Sequence, residues 1–333
     1  MPACNLCGTS FETSAHLRWR KDGFDIVECP RCSLIFRAEL PSREELAAVY
    51  GESYFKQAAG DTGGQGYLDY LAGEDVHRKA ARRRLRLLGR FGRAGRLLDV
   101  GAAAGFFVDE ATRAGWTAQG VDVAGSMVDW GRRHLGAELI AGNIADVSLE
   151  PGSLDAVTMW DYVEHSCDPT HDLEATHELL RPGGMLALST GDIDTLVACL
   201  SGSRWHLLTP RHHNFFFSAR TVCALLKRRG FDVIYAGHPG AAYSLSYLAH
   251  KGRTVLDSGA TRAVANALER STLGRVAVPV NLGDIVTIVA GRRVVQQRSR
   301  VLEGERRAPP RTGSIKEVSG DGAVSAQLAP QDE

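Results

Sequence analysis

Four of the seven cysteines stand as two Cys-x2-Cys pairs near the start of the chain, Cys4 with Cys7 and Cys29 with Cys32. A turn-forming residue follows each pair, Gly8 and Ser33, so four thiolates can converge on one tetrahedral Zn²⁺. The plainer alternative is four reduced cysteines without metal. Cys167, Cys199 and Cys223 are isolated and read as small buried residues with no reactive role. A second chemical group is Asp161, Glu164 and His165, joined from a distance by His213 in the aromatic-rich stretch Trp205–Ser218. Histidine is the side chain best matched to taking a proton at neutral pH. His165 is the first candidate base, and His213 or its neighbour His212 is the second. His165 could equally serve only to hold its own loop. Two carboxylates and an imidazole could instead hold Mg²⁺, Mn²⁺ or Zn²⁺, with His213 as a fourth ligand. Of these, the base is the reading taken.

A third group is the small-residue turn Asp99-Val100-Gly101-Ala102-Ala103-Ala104-Gly105, which ends an apolar run and opens a helical one. Small residues let a ligand approach the backbone, and a helix N-terminus offers unpaired N–H donors. The next apolar run ends in Asp122, an acid placed to accept from a ribose diol. A nicotinamide dinucleotide would need glycines at the positions held by Gly101, Ala103 and Phe106, and the third of these fails. An acid at Asp99 also faces a phosphate unfavourably, whereas it suits a cationic amine.

Alternating short apolar runs and helical patterns must position these groups, the signature of a parallel sheet with crossover helices. Strands are expected at 96–100, 117–122, 138–141, 154–160, 185–190, 231–236 and 284–290. A helix capped by Ser42 and a longer one over 67–88 precede them, with a Gly-rich loop at 60–66 between. Nine Arg and Lys and no acid lie between Val76 and Leu98, either a solvated face or a nucleic-acid face. Ser218 caps a helix that Gly230 ends. The segment 241–274 reads as a helical insert before the last strand.

With 39 basic and 39 acidic residues the whole surface is not a polyanion or membrane coat, so the partner is expected at a site. No basic segment followed by an apolar one opens the chain, and no breaker-free run of about 18 apolar residues occurs. A cytoplasmic protein with reduced thiols is the expectation. Oligomeric state is not legible.

Taken in order, 98–105, Gly120-Val121-Asp122, Gly142-Asn143-Ile144, 154–157, Asp161-Tyr162-Val163-Glu164-His165 and 179–184 resemble the class I S-adenosylmethionine-dependent methyltransferases. Within these, the chain is similar to ubiquinone-type O-methyltransferases and to a group with an N-terminal zinc ribbon. The resemblance implies an α/β fold, a Rossmann-like seven-stranded sheet whose antiparallel last strand inserts beside the fifth. It divides the chain into a zinc ribbon (1–40), a helical linker or cap (41–90), and a methyltransferase domain (91–291) with a lid at about 201–218. Residues 292–333 are expected to be a disordered tail. It implies that Asp99 orders the turn and the amino-acid moiety, that Gly101, Ala103 and Gly105 line the methionine side, and that Asp122 holds the ribose. Asn143, where an Asp is usual, and Ile144 meet adenine, with Trp160 beside the adenosyl group or simply in the core. The expected reaction is in-line methyl transfer to a small-molecule hydroxyl deprotonated by histidine. The alternatives are C- or N-methylation of a sugar or other metabolite, RNA or protein methylation docked by the ribbon, and a non-catalytic binding module.

Overall fold

The computed structural model describes residues 4–10, 16–50, 70–249 and 258–294. Short apolar runs stopped by glycine become strands β4 (Arg96–Val100), β5 (Thr117–Asp122), β6 (Leu139–Ala141), β7 (Leu154–Trp160), β8 (Leu180–Gly191), β10 (Phe231–Gly237) and β13 (Ile285–Arg292). They form one sheet in the order β10-β13-β8-β7-β4-β5-β6. β4 pairs in parallel with β5 and β7, whereas β13 runs antiparallel between β8 and β10. This is the expected seven-stranded arrangement, with its reversed last strand.

Alternation along the strands gives each face of the sheet its own core. Leu98, Val157, Met159, Leu186 and Ile288 pack on one face, and Leu97, Ala156, Trp160, Ala187 and Val289 on the other. Helices α2 (Glu74–Leu88), α3 (Phe106–Arg113) and α4 (Gly125–Leu135) and then α5 (Pro169–Leu179) and α7 (Ala219–Arg228) cross between the strands. Ser218 accepts from the Thr221 N–H at 3.2 Å, so the expected cap starts α7. The short helix α1 (Arg43–Val49) carries the expected capping box, Ser42 N–H donating to Glu45 at 2.8 Å and Glu45 N–H to Ser42 at 3.2 Å.

The ribbon hairpin β1 (His16–Lys21) and β2 (Phe24–Glu28) turns at Asp22-Gly23, both at positive φ, 52° and 83°. That is the backbone a two-residue hairpin turn requires. β3 (Ile35–Arg37) follows, and its other edge pairs with β9 (Phe215–Phe216), Ile35 opposite Phe216 and Phe36 opposite Phe215. The ribbon and the expected lid thus share one four-stranded sheet. The lid also carries a short helix, α6 (Leu196–Ser201), just before it.

Three expectations change. The segment 241–274 is not simply helical: it opens as β11 (Ala241–Ser244), paired with β12 (Ala277–Val280), and holds α8 (Gly259–Glu269). The expected helix over 67–88 is a 3₁₀ turn at Leu71–Gly73 followed by α2. Residues 60–69, including the Gly-rich loop, lie outside the described residues. Residues 292–294, expected in a tail, are ordered: β13 includes Arg292, and the Arg293 N–H donates to the Gly230 carbonyl at 2.8 Å. The expected tail over 295–333 lies outside the described residues. Among the described residues, no helix is long and apolar enough to cross a membrane.

Candidate functional site

The turn after β4 is built by local partners. Gly101 and Ala102 donate N–H to the Val121 carbonyl at the end of β5, at 2.9 and 3.2 Å. The Ala103 N–H donates to Asp122 Oδ2 at 2.7 Å, and the Ala124 N–H to Asp122 Oδ1 at 2.8 Å. Each carboxylate oxygen keeps a second lone pair for a diol. Burial raises the Asp122 pKa, against the two N–H groups that lower it. Gly101 sits at φ 80°, and a Cβ there would meet the Tyr162 ring at 2.8 Å. Ala103 adopts φ 46°, the left-handed region that normally calls for glycine. Such strain at a non-glycine residue concentrates where a fold holds a ligand.

Asp99 lies under this turn, 3% exposed, and accepts from the Thr158 hydroxyl at 2.6 Å. Burial pushes its pKa up to about 7, the Thr158 hydroxyl opposing. Asn143 leads a one-turn 3₁₀ helix, its N–H donating to Asp146 at 2.8 Å, with Ile144 buried beneath. Trp160 is buried against Phe107 of α3, ring centroids 5.6 Å apart. Its Nε1 has no hydrogen-bond partner among the described residues. An orphaned buried donor and a carboxylate with lone pairs to spare, near a small-residue turn, fit a polar ligand carrying ribose.

Past the end of β7, Glu164, His165 and His213 bring one ligand atom each to within 4.8 Å of one another. The His165 and His213 rings meet edge to face at 4.6 Å. His213 Nδ1 lies 2.8 Å from the Leu207 carbonyl, and since a carbonyl only accepts, that nitrogen carries the proton. Burial pushes the His165 pKa down to about 4 and the Glu164 pKa up to about 8, the latter reinforced by the Asp161 charge. At neutral pH both groups are therefore uncharged. Glu164 Oε2 is buried with no hydrogen-bond partner among the described residues. A small pocket opens here, lined by Glu164, Thr190, Gly191, Trp205, Leu207 and His213 and closed by the rings of 215–217.

Asp161 does not join this group, unlike in the alternative metal set of Asp161, Glu164 and His165. Its backbone turns at φ 52°, and its carboxylate accepts from Arg84 of α2 at 2.6 Å and from the Ser189 hydroxyl at 2.7 Å. Burial alone would raise its pKa, but the Arg84 charge and these hydrogen bonds hold it low. Three arginines of the basic run are likewise engaged within the protein. Arg78 pairs with Asp109 at 2.5 Å, Arg82 with Glu110 at 2.8 Å, and Arg84 lies over the Trp160 ring at 4.7 Å.

Sequence reasoning missed Tyr50, Tyr162, Arg84 and Asn214. Asn214 is 1% exposed; its N–H donates to the Glu164 carbonyl and its Nδ2 to the His165 carbonyl, at 2.7 and 2.8 Å. Only for Tyr162 was there a local signal, its place just past the end of β7.

The four ribbon thiols also gather within 4.8 Å of one another. Cys4 and Cys32 are 3.5 Å apart, as are Cys7 and Cys29. A Zn–S bond of about 2.3 Å gives a tetrahedron edge of about 3.8 Å, so the donor set fits zinc. In each knuckle the first Cys carbonyl accepts from the residue after the second Cys, Gly8 at 2.8 Å and Ser33 at 2.9 Å. Both lie at positive φ, as the sequence pattern required.

Residues 72–236 match a family model described as a methyltransferase domain. The ubiquinone biosynthesis O-methyltransferase of Xanthomonas euvesicatoria pv. vesicatoria (strain 85-10) is 36% identical over 101 residues, covering 28% of this chain and 42% of that protein. The chain thus spans less than half the length of the curated relative it matches. Among solved structures, geranyl diphosphate C-methyltransferase from Streptomyces coelicolor A3(2) is 18% identical with a TM-score of 0.47, over 75% of this chain and 97% of that one. A SAM-dependent methyltransferase from Archaeoglobus fulgidus is 19% identical with a TM-score of 0.46, over 67% and 98%. With the strand order, the turn after β4 and the acid ending β5, residues 72–236 belong to the class I S-adenosylmethionine-dependent methyltransferase family.

Proposed function

We propose that this protein transfers a methyl group from S-adenosylmethionine to a hydroxyl of a small molecule, with a neutral histidine taking the proton. Bound S-adenosylmethionine supplies a methyl group already activated on a sulfonium. Asp99, Gly101, Ala103, Gly105 and Asp122 would hold its amino-acid and ribose parts, and Asn143, Ile144 and Trp160 its adenosyl part. The acceptor oxygen attacks the methyl carbon, the C–S electron pair stays on sulfur, and the hydroxyl proton passes to the imidazole. Positioning and exclusion of water by the closed aromatic wall provide most of the acceleration.

The observation that carries this reading is the pair His165 and His213, edge to face at 4.6 Å, beside a pocket at the sheet edge. A hydroxyl acceptor is supported by the name of the relative, an O-methyltransferase. Calorimetric titration with S-adenosylmethionine tests it: saturable binding at one site per chain is expected, and no binding would sink it. Methylation of a panel of phenols, quinols and sugars then separates oxygen from carbon or nitrogen acceptors.

A second reading is favoured by Glu164 Oε2, buried without a hydrogen-bond partner among the described residues beside two imidazoles, a donor set suited to a divalent cation once Glu164 is ionised. Glu164, His165 and His213 would hold it and lower the acceptor's pKa. Transfer abolished by a chelator that leaves the ribbon zinc in place would select this reading over the histidine base. For the ribbon we propose a structural Zn²⁺ on Cys4, Cys7, Cys29 and Cys32. The internal ion pairs of Arg78, Arg82 and Arg84 favour a solvated structural helix over nucleic-acid docking.

A further inference from the structure

We infer that Tyr50 is a positioning residue for His165: with the His212 carbonyl it fixes the imidazole as the Nδ1–H tautomer and leaves the lone pair on Nε2. This rests on the reading of His165 as the base. Tyr50 follows α1 at the exit of the ribbon, is 7% exposed, and stands 115 residues before its partner. Its hydroxyl oxygen is 2.5 Å from His165 Nδ1 and donates to the His212 carbonyl at 3.1 Å. His165 Nδ1 is itself 3.0 Å from that carbonyl.

Counting protons decides between the tautomers. If Nδ1 were bare, the Tyr50 proton would go to it. The His212 oxygen, which can only accept, would then face a nitrogen lone pair at 3.0 Å with no proton between them. If Nδ1 carries the proton, it is given to the Tyr50 oxygen and the carbonyl, and the Tyr50 hydroxyl gives its own proton to the carbonyl. Every donor and acceptor of the three is then satisfied, as buried polar groups are. Nε2 is left as the only nitrogen able to take a proton or a cation. The backbone is held independently, since Asn214 Nδ2 donates to the His165 carbonyl at 2.8 Å and its Oδ1 accepts from Arg37 of β3 at 3.1 Å. The loop is therefore fixed through Arg37 of the ribbon, and the ring through Tyr50 in the linker that follows it.

The experiment is long-range ¹H–¹⁵N spectroscopy of the full chain with its ribbon zinc, labelled with ¹⁵N-histidine, the His165 signals being assigned by their loss in His165→Gln. A single neutral Nδ1–H tautomer is expected for His165 in the wild type. In Tyr50→Phe its Nδ1 proton should exchange at least about tenfold faster, while S-adenosylmethionine affinity stays within about twofold. An Nε2–H or mixed tautomer in the wild type overturns the inference, and this measurement needs no variant of Tyr50 to fold. An unmoved Nδ1 proton in Tyr50→Phe overturns it too, as does lost cofactor affinity, which would put Tyr50 on the cofactor. Failure of the wild type to bind S-adenosylmethionine would strike instead at the methyltransferase reading and leave the tautomer result standing.

Discussion

The turn after β4 and the pocket beside His213, proposed as the cofactor and acceptor sides, lie at the same edge of one sheet but are held together over different chain distances. Ala103 is fixed by Asp122, 19 residues on, within one strand-helix-strand unit. His165 is fixed by Tyr50 and by the His212 carbonyl, 115 and 47 residues away, and Asn214 by Arg37, 177 residues away. The turn itself closes within its own βαβ unit, with Asp99 beneath it held by Thr158 of the neighbouring β7. The second exists only where the ribbon, the β7 loop and the lid meet, because β9 completes the ribbon sheet. Perturbing the ribbon should therefore separate the two regions.

The largest effect is expected from removing the ribbon metal. A segment this small buries little apolar area of its own, so the proposed Zn²⁺ would supply much of its stability. Burial pushes the Cys4 thiol up to about 11, and the ion would have to hold it as the thiolate. Cys29→Ser, or chelation of the full chain, should reduce methyl transfer by at least about a hundredfold. S-adenosylmethionine affinity measured by calorimetry should change by no more than a few fold. Equal loss of both would show that the two regions fold as one and break the comparison.

Asp122 is the reciprocal probe. Asp122→Ala removes the acceptor for two backbone N–H groups as well as the proposed ribose contact. A hydrogen bond to a charged group contributes about 1.5–3 kcal/mol, so cofactor affinity should fall by about ten- to a hundredfold. The ¹⁵N signals of His165 and His213 should remain in place. Their collapse would mean that the cofactor turn also supports the acceptor pocket.

The same contrast decides what could be read from the chain itself. Strands β4, β5 and β7, the Asp99 to Gly105 turn and the Cys knuckles are local patterns, and all are where the sequence places them. Arg84, Asn214 and Tyr50 carry no such pattern. An arginine in a basic helix looks solvated until Asp161 turns toward it, and a tyrosine after a short helix looks like any core aromatic. The alternative metal set shows the same limit: spacing puts Asp161 beside Glu164 and His165, but its left-handed backbone and a partner 77 residues away draw it off. In the segment 241–274, the opening strand finds its partner only at 277–280, across the insert.

A weaker effect separates the regions by pH. Asp99 titrates near about 7 because it is buried, and the ionised form is the one that suits a cationic amine. Affinity for S-adenosylmethionine should thus be high above pH about 7 and fall below it, by at most about tenfold per unit. Asp99→Asn should flatten the profile. The unliganded fold responds with the opposite sign. A carboxyl with a raised folded pKa keeps a proton that the unfolded chain releases, so its contribution falls as pH rises from the ordinary carboxylate range to about 7. Denaturant midpoints against pH, with and without ligand, check both directions. Slopes of the same sign would remove Asp99 from the cofactor side.

The smallest effect is expected at Ala103, and its smallness is informative. Left-handed backbone costs a non-glycine residue about 1–2 kcal/mol, which Ala103→Gly would relieve. Glycine gives back roughly 0.5–1 kcal/mol in chain entropy, and the lost buried methyl about 0.8 kcal/mol more. These nearly cancel, so the melting temperature should move by no more than about 4 °C. Asp161→Gly relieves the same kind of strain but loses the Arg84 and Ser189 contacts, so it should be the more destabilising. If Ala103→Gly proves the worse of the two, the turn depends on its alanine methyl. The cofactor side would then be as specialised to this chain as the acceptor side is.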